Sequence, residues 1–200
     1  MIDLENALKF PTKDDGWKGK ILIGGLLNIL PIVNFIPIGY AYRIFRNSLE
    51  GEEIRLSEWN DWGNLFVQGL VVFLIAFLYN IASIILFVIH PVLGFLAVIA
   101  VALLFPTALA RYAKSGNFSA AFQLREIWAG IQQTRSDYFV AWLVMIGICI
   151  VLLMIGSIPV LGWLISAIIG FYTYLVFAVL FGEICSRQGP PARTSSTRKR

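Results

Sequence analysis

Residues 62–110 read WGNLFVQGLVVFLIAFLYNIASIILFVIHPVLGFLAVIAVALLFPTALA, and no Asp, Glu, Lys or Arg interrupts them. A bilayer span needs about 20 predominantly apolar residues. The run breaks near His90-Pro91, leaving about 28 residues before the proline and about 19 after it, so each arm is long enough to cross. Working outward, residues 138–182 are equally free of charge and break at Ser157-Ile158-Pro159, giving two more arms of spanning length. Residues 21–42 are uncharged too, but Pro31 divides them into arms that reach only roughly 15 to 18 Å, about half the hydrocarbon core. An unpaired charge at mid-bilayer costs roughly 2.5–3.5 kcal/mol on insertion scales, so three charge-free stretches are a physical signal.

The expected fold is an all-α integral membrane protein. It has one shallow or re-entrant N-terminal hairpin (near 20–48) and four full transmembrane helices in two hairpins (near 64–112 and 138–183), all in one membrane domain over residues 1–185. Composition agrees: 58% of residues are hydrophobic and 14% charged, with a mean hydropathy of +0.76, which excludes an ordinary soluble domain. Lys and Arg number four in residues 1–20, three in 43–61, four in 111–137 and five in 183–200, with none near Pro91 or Pro159. The positive-inside rule then puts both termini in the cytoplasm. A single kinked span over 21–42 is the competing reading, and it would strand Lys9, Lys13, Lys18 and Lys20 outside. The N-terminus lacks the order of a cleaved signal peptide.

Each hairpin turn has a related sequence: Pro31-Ile32-Val33-Asn34-Phe35, Pro91-Val92-Leu93-Gly94-Phe95 and Pro159-Val160-Leu161-Gly162-Trp163. Gly51, Gly116 and Gly182 follow at intervals of 65 and 66 residues, which suggests three repeated modules. Two amphipathic interfacial helices are expected on the cytoplasmic side. One lies near 57–66, where Trp59, Trp62 and Phe66 recur at three and four residues behind a Ser57 cap. The other lies near 118–133 and carries Trp128. Trp59, Trp62 and Trp128 are expected at headgroup level.

Gly16-Trp17-Lys18-Gly19-Lys20-Ile21-Leu22-Ile23-Gly24-Gly25, Ile36-Pro37-Ile38-Gly39-Tyr40, Arg43-x-x-Arg46 and Glu58-Trp59-Asn60-Asp61-Trp62-Gly63-Asn64-Leu65-Phe66-x-x-Gly69-Leu70 together resemble the prokaryotic membrane family catalogued as domain of unknown function 4013. The resemblance covers the chain to about residue 185 and implies a bacterial or archaeal multipass protein of the cytoplasmic membrane. That family usually carries an acid where this chain has Asn60. A looser likeness to membrane-bending hairpin proteins of the Yip type is at fold level only.

Few side chains are suited to chemistry. His90, the only histidine, sits just before a predicted extracytoplasmic turn with no Asp, Glu or Cys expected on that side of the membrane, and is read as a capping or interfacial residue. Ser83 and His90 are two helical turns apart, too far for a nucleophile and its base. Cys149 and Cys185 read as structural thiols, and no cofactor or metal site is expected. Asn28, Asn34, Asn80, Ser83, Ser166 and Thr173 are expected to hydrogen-bond between helices. Gly162-x-x-x-Ser166-x-x-x-Gly170 forms a small-residue helix-packing face. Arg43 and Arg46, and Arg198, Lys199 and Arg200 in a disordered basic tail (186–200), are expected to contact anionic lipid. Nucleic acid is not needed to explain the basic charge.

The sequence thus points to a noncatalytic multipass protein, an accessory or scaffold subunit or an organiser of the local bilayer, whose partners are lipid and another membrane protein or a second copy. The alternative is a small transporter or lipid-handling protein with hydrophobic cargo.

Overall fold

A computed structural model describes residues 4–52, 54–159 and 161–189. Its regular elements are all helical: α1 (Leu4–Lys9) running into a 3-10 turn (Phe10–Lys13), α2 (Trp17–Ile29), α3 (Phe35–Glu50), α4 (Trp62–Ile89), α5 (Pro91–Ser115), a second 3-10 turn (Phe118–Phe122), α6 (Leu124–Gln133), α7 (Arg135–Gly156) and α8 (Leu161–Ser186). Helices α4, α5, α7 and α8 are long and apolar enough to cross a membrane. Residues 21–42 do not form one helix. The chain turns between α2 and α3, where Ile32 takes a φ of 71°. At about 1.5 Å per residue, α2 and α3 reach about 20 and 24 Å, short of the roughly 30 Å core.

Local chemistry sets the helix ends. His90 is extended, its Nδ1 accepts the Val92 N–H at 3.2 Å, and Pro91 opens α5, where a missing N–H costs nothing. Gly51 and Gly116 end α3 and α5 in the left-handed conformation, at φ 73° and 66°. Gly182, which matches them in spacing, lies inside α8, so the third glycine is no cap and the three-fold module is not reproduced there.

α3 is the centre of the fold. It packs on α4 along one side and α8 along another, while α2 lies on α8. The crossing of α3 and α4 is backbone to backbone: a Cβ on Gly39 would stand 1.8 Å from the Leu65 carbonyl oxygen, and one on Gly69 equally close to that of Phe35. Only glycine permits this approach. The crossing with α8 has Gly182 against Ser48, whose hydroxyl donates to the Val179 carbonyl at 3.0 Å. Pro106 interrupts the ladder of α5, and the Tyr138 hydroxyl from α7 donates to the Leu103 carbonyl in the turn before it, at 2.6 Å. The main core runs from Ala7 to Cys185, and a smaller one gathers Ile75, Tyr79, Ala108, Ala121 and Ile127.

Two expectations need correction. The interfacial helix near 57–66 is absent: Ile54 to Asp61 form no helix, and Trp62 is the first residue of α4. The three-and-four spacing of Trp59, Trp62 and Phe66 crosses a break at Asp61, whose φ is 53°, and Trp59 is held by stacking instead. The expected tail is fixed over its first residues. Arg187 pairs with Asp137 at 2.9 Å, the Gln188 amide donates to Thr134 at 3.1 Å, and the Gly189 N–H donates to Gln133 at 3.0 Å. Their polar groups are satisfied at the α6–α7 junction. Arg198, Lys199 and Arg200 lie outside the described residues.

Candidate functional site: an apolar cavity beside the central helix

Because α3 stands between α4 and α8, those two helices make no extensive contact with each other. The gap is a cavity of about 220 Å³. Ala41 and Phe45 of α3 form its floor, Val72 and Ala76 of α4 one wall, Phe177 and Ala178 of α8 the other, and Leu109 of α5 closes an end. Phe73 and Tyr174 line it and are also exposed, at 42% and 40%, so they mark a lateral mouth. Tyr42, buried on the same lining, stacks on Tyr112 of α5 at 5.8 Å between ring centroids. Every lining residue is aliphatic or aromatic. A space of this size and chemistry stays dry and accepts apolar groups.

A second, polar cluster sits where α2 begins. The Lys20 ammonium, only 11% exposed, meets Glu58 at 2.7 Å, Asp14 at 3.1 Å and the Leu56 carbonyl at 3.0 Å. Burial opposes its charge, but the bonds to Glu58 and Asp14 outweigh that and raise its pKa. For Asp14, burial alone would raise the carboxyl, and bonds from Lys20 and the Gly16 N–H more than offset it, holding it below its usual range. Tyr40 donates to the Ser57 carbonyl at 2.6 Å and stacks on Trp59 at 4.3 Å, while Trp59 Nε1 donates to the Lys20 carbonyl at 3.2 Å. This arrangement is a latch that holds residues 54–61 on the bundle.

The residues singled out from sequence are dispersed. Gly162 lies against the Ile155 carbonyl and the Ser166 hydroxyl reaches the Leu152 carbonyl at 3.5 Å, both on α7, whereas Gly170 faces Asn28 of α2. The face therefore packs within the chain. Trp59 belongs to the latch with Trp62 and Phe171, Trp62 is 43% exposed, and Trp128 is 58% exposed on α6. Arg43 donates to the Asn60 side chain at 3.1 Å and Arg46 pairs with Glu50 at 3.2 Å. Of the polar residues in apolar stretches, Asn80 and Thr173 bond carbonyls of their own helices. Ser83 Oγ is buried without a partner. Sequence reasoning missed the Gly39–Gly69 crossing, although both glycines stand in the quoted motifs. It also missed the cavity, whose residues carry no signal beyond being apolar.

Fold and site together define an all-helical protein with four helices able to span a membrane and an apolar space among them. The family described as "Protein of unknown function (DUF4013)" matches residues 23–95 and 84–161, and the chain belongs to that family. No curated protein and no solved structure matches the chain.

Proposed function

We propose that this is a noncatalytic multipass membrane protein that takes up a hydrophobic molecule from the bilayer, with lipid handling as its role. The cavity beside α3 is the observation that supports this reading, because it is almost wholly apolar and opens sideways between Phe73 and Tyr174. In a bilayer that mouth faces lipid, so cargo enters without crossing water. A prokaryotic cytoplasmic membrane, with both termini inside, is the setting we propose; the distribution of Lys and Arg supports the orientation.

Native mass spectrometry of the protein released from nanodiscs tests the reading. The wild type should retain a bound lipid, and Ala178→Phe, which projects a ring into the cavity, should lose it at an overpacking cost of about 1–3 kcal/mol. A wild type without bound lipid, or a variant that keeps it, overturns the proposal.

The accessory or scaffold reading rests on a different observation. Helix α7 packs mainly on α8 and exposes Phe139, Leu143, Ile146, Ile150 and Leu153 at alternating spacings of four and three, with open space over Gly147. That stripe suits a partner helix or a second copy. Cys149 is exposed on the same helix. Oxidative cross-linking through Cys149 should give a dimer if two copies meet there, and monomer alone argues against a homo-oligomer through this face.

A further inference from the structure

Past the apolar stretches of α5 and α8 lies a second space, of about 300 Å³, that shares no lining residue with the cavity beside α3. What it binds is therefore a separate matter from lipid uptake. Its lining is polar. Thr107 of α5 and Gln188, just beyond α8, are both buried, and the Gln188 amide donates to the Thr107 hydroxyl at 3.4 Å. Gly130 of α6 leaves room for that amide, since a Cβ there would stand 2.8 Å from the Gln188 Oε1.

Two cations and one acid line this space: Arg111 and Lys114 of α5, and Glu126 of α6. Three residues apart, the cations are neighbours on one helix face. Glu126 pairs with the Arg111 Nη2, which also donates to the Gln123 side chain at 2.7 Å. The Arg111 Nε, by contrast, is buried and meets no acceptor. Lys114 donates to the carbonyls of Cys185 and Gln188, at 2.8 and 3.1 Å, and forms no ion pair among the described residues. Neutral acceptors leave its charge uncompensated, and its third N–H remains. A buried donor without an acceptor is unfavourable, and more so on a charged group. An anion with several oxygens satisfies all of these demands at once, one oxygen accepting from Arg111 Nε and another from Lys114. An uncharged ligand would leave the surplus positive charge unmatched.

The position of the cluster narrows the anion. Lys114 is the second-last residue of α5 and Gln188 follows α8 by two positions, so the space stands at the ends of two helices able to span, where the layer of lipid headgroups begins. We propose that it is a phosphate-binding site, filled by the phosphate of a membrane lipid or by a soluble phosphate. Arg111 and Lys114 hold the oxygens, and Glu126 limits the affinity.

Modification of Lys114, which is exposed, tests the assignment in the full-length protein. In maltoside micelles, which carry no phosphate, an amine-reactive reagent is applied, and mass spectrometry compares Lys114 with the exposed Lys9. Inorganic phosphate or a short-chain phosphatidic acid should slow modification of Lys114 about fivefold, and diacylglycerol with the same chains should not. Protection by phosphatidic acid alone identifies a lipid phosphate as the occupant; protection by inorganic phosphate identifies a site open to soluble phosphates; either supports the proposal. Half-protection should move to about tenfold higher concentration in Arg111→Lys, which keeps the charge and loses the Nε donor, the scale of one charge-assisted hydrogen bond. In Glu126→Gln, which keeps an oxygen acceptor for Arg111 and removes the opposing charge, it should move about fivefold lower, a gain that loss of a merely structural ion pair would not give. Absence of protection by either phosphate, equal protection by diacylglycerol, or half-protection unmoved by Arg111→Lys or not tightened by Glu126→Gln overturns the site. Glu126→Gln decides the matter if Arg111→Lys fails to fold.

Discussion

Two connecting segments of this chain, residues 51–61 between α3 and α4 and residues 116–134 between α5 and α7, are fastened by the same four devices and yet fold differently. Each begins at a left-handed glycine, Gly51 or Gly116. In each, a tyrosine hydroxyl donates to a backbone carbonyl of the segment: Tyr40 to Ser57 at 2.6 Å and Tyr79 to Ala121 at 2.5 Å. An aromatic of the segment stacks on that same tyrosine, Trp59 on Tyr40 at 4.3 Å and Phe122 on Tyr79 at 5.2 Å. An arginine then donates to a side-chain amide, Arg43 to Asn60 and Arg111 to Gln123. The first segment nevertheless stays irregular, whereas the second forms a 3-10 turn and α6. The difference is what lies beneath. Ala121 and Ile127 bury an apolar stripe that stabilises helix, while the first segment closes over the buried Lys20 with a backbone carbonyl and a carboxylate. Anchors of this kind set where a segment lies, and burial sets its secondary structure.

The comparison breaks first at Trp59. Trp59→Ala removes the stack on Tyr40, Trp62 and Phe171 together with the bond to Lys20, and should cost about 3 kcal/mol for a large, partly buried aromatic. Phe122→Ala, with Ile127 still holding α6, should cost about half that. Thermal unfolding in nanodiscs compares the two, and limited proteolysis should cut Trp59→Ala within 51–61 first. Equal losses would mean that the second segment depends on its tyrosine stack as much as the first.

How much of this was legible follows from which residues carry unambiguous physics. The absence of charge over 62–110 and 138–182 marked the four long helices, and Pro31 marked the break between α2 and α3, because charge and proline act locally. The site was not legible. Phe45, Val72 and Ala178 are apolar residues among many, and only the position of α3 between α4 and α8 makes them walls. The tryptophan motif was visible but misread, because a three-and-four spacing describes a helix only if no residue within it leaves helical φ and ψ, and Asp61 does. Lys20 was read only as a topology charge and as part of a motif, because a lysine just before an apolar run normally lies in water. Here Asp14 and Glu58, 6 and 38 positions away in sequence, allow it to be buried.

Lys20 gives the next test, of smaller effect and specific to the first segment. Lys20→Met leaves Asp14 and Glu58 without their cation and should cost about 2 kcal/mol, in line with charge-assisted hydrogen bonds. The latch should also respond to pH. Asp14 has a lowered pKa, so its contribution is present above the ordinary carboxyl value of about 3.9 and is lost as pH falls through the lowered one. Lys20 has a raised pKa, so its contribution is present below about 10.4 and is lost as pH rises through the raised value. Amide exchange in residues 54–61, corrected for intrinsic rates, should therefore be flat between about pH 4 and 10 and accelerate beyond both ends in the wild type. In Lys20→Met it should be fast throughout. A wild-type profile without either edge would show that the segment is held by aromatic stacking alone.

The smallest effect concerns position 60, where the family resemblance implies an acid and this chain has an amide. Arg43 already donates to the Asn60 oxygen at 3.1 Å, so Asn60→Asp keeps the geometry and turns a neutral acceptor into a charged one. Exposed pairs of this kind contribute up to about 1 kcal/mol. Glu58 and Asp61 flank the new carboxylate and oppose it, which should leave a net gain of a few tenths of a kcal/mol, about 1 °C in melting temperature. Salt screens both interactions over about 8 Å at physiological ionic strength, so the gain should fade as salt is raised. A variant less stable than wild type at low salt, recovering as salt rises, would mean that repulsion from Glu58 and Asp61 exceeds the attraction to Arg43. The first segment would then be better served by an amide at this position than by the acid the family resemblance implies, and the arginine bond would rank as a positioning contact below the stack and the lysine.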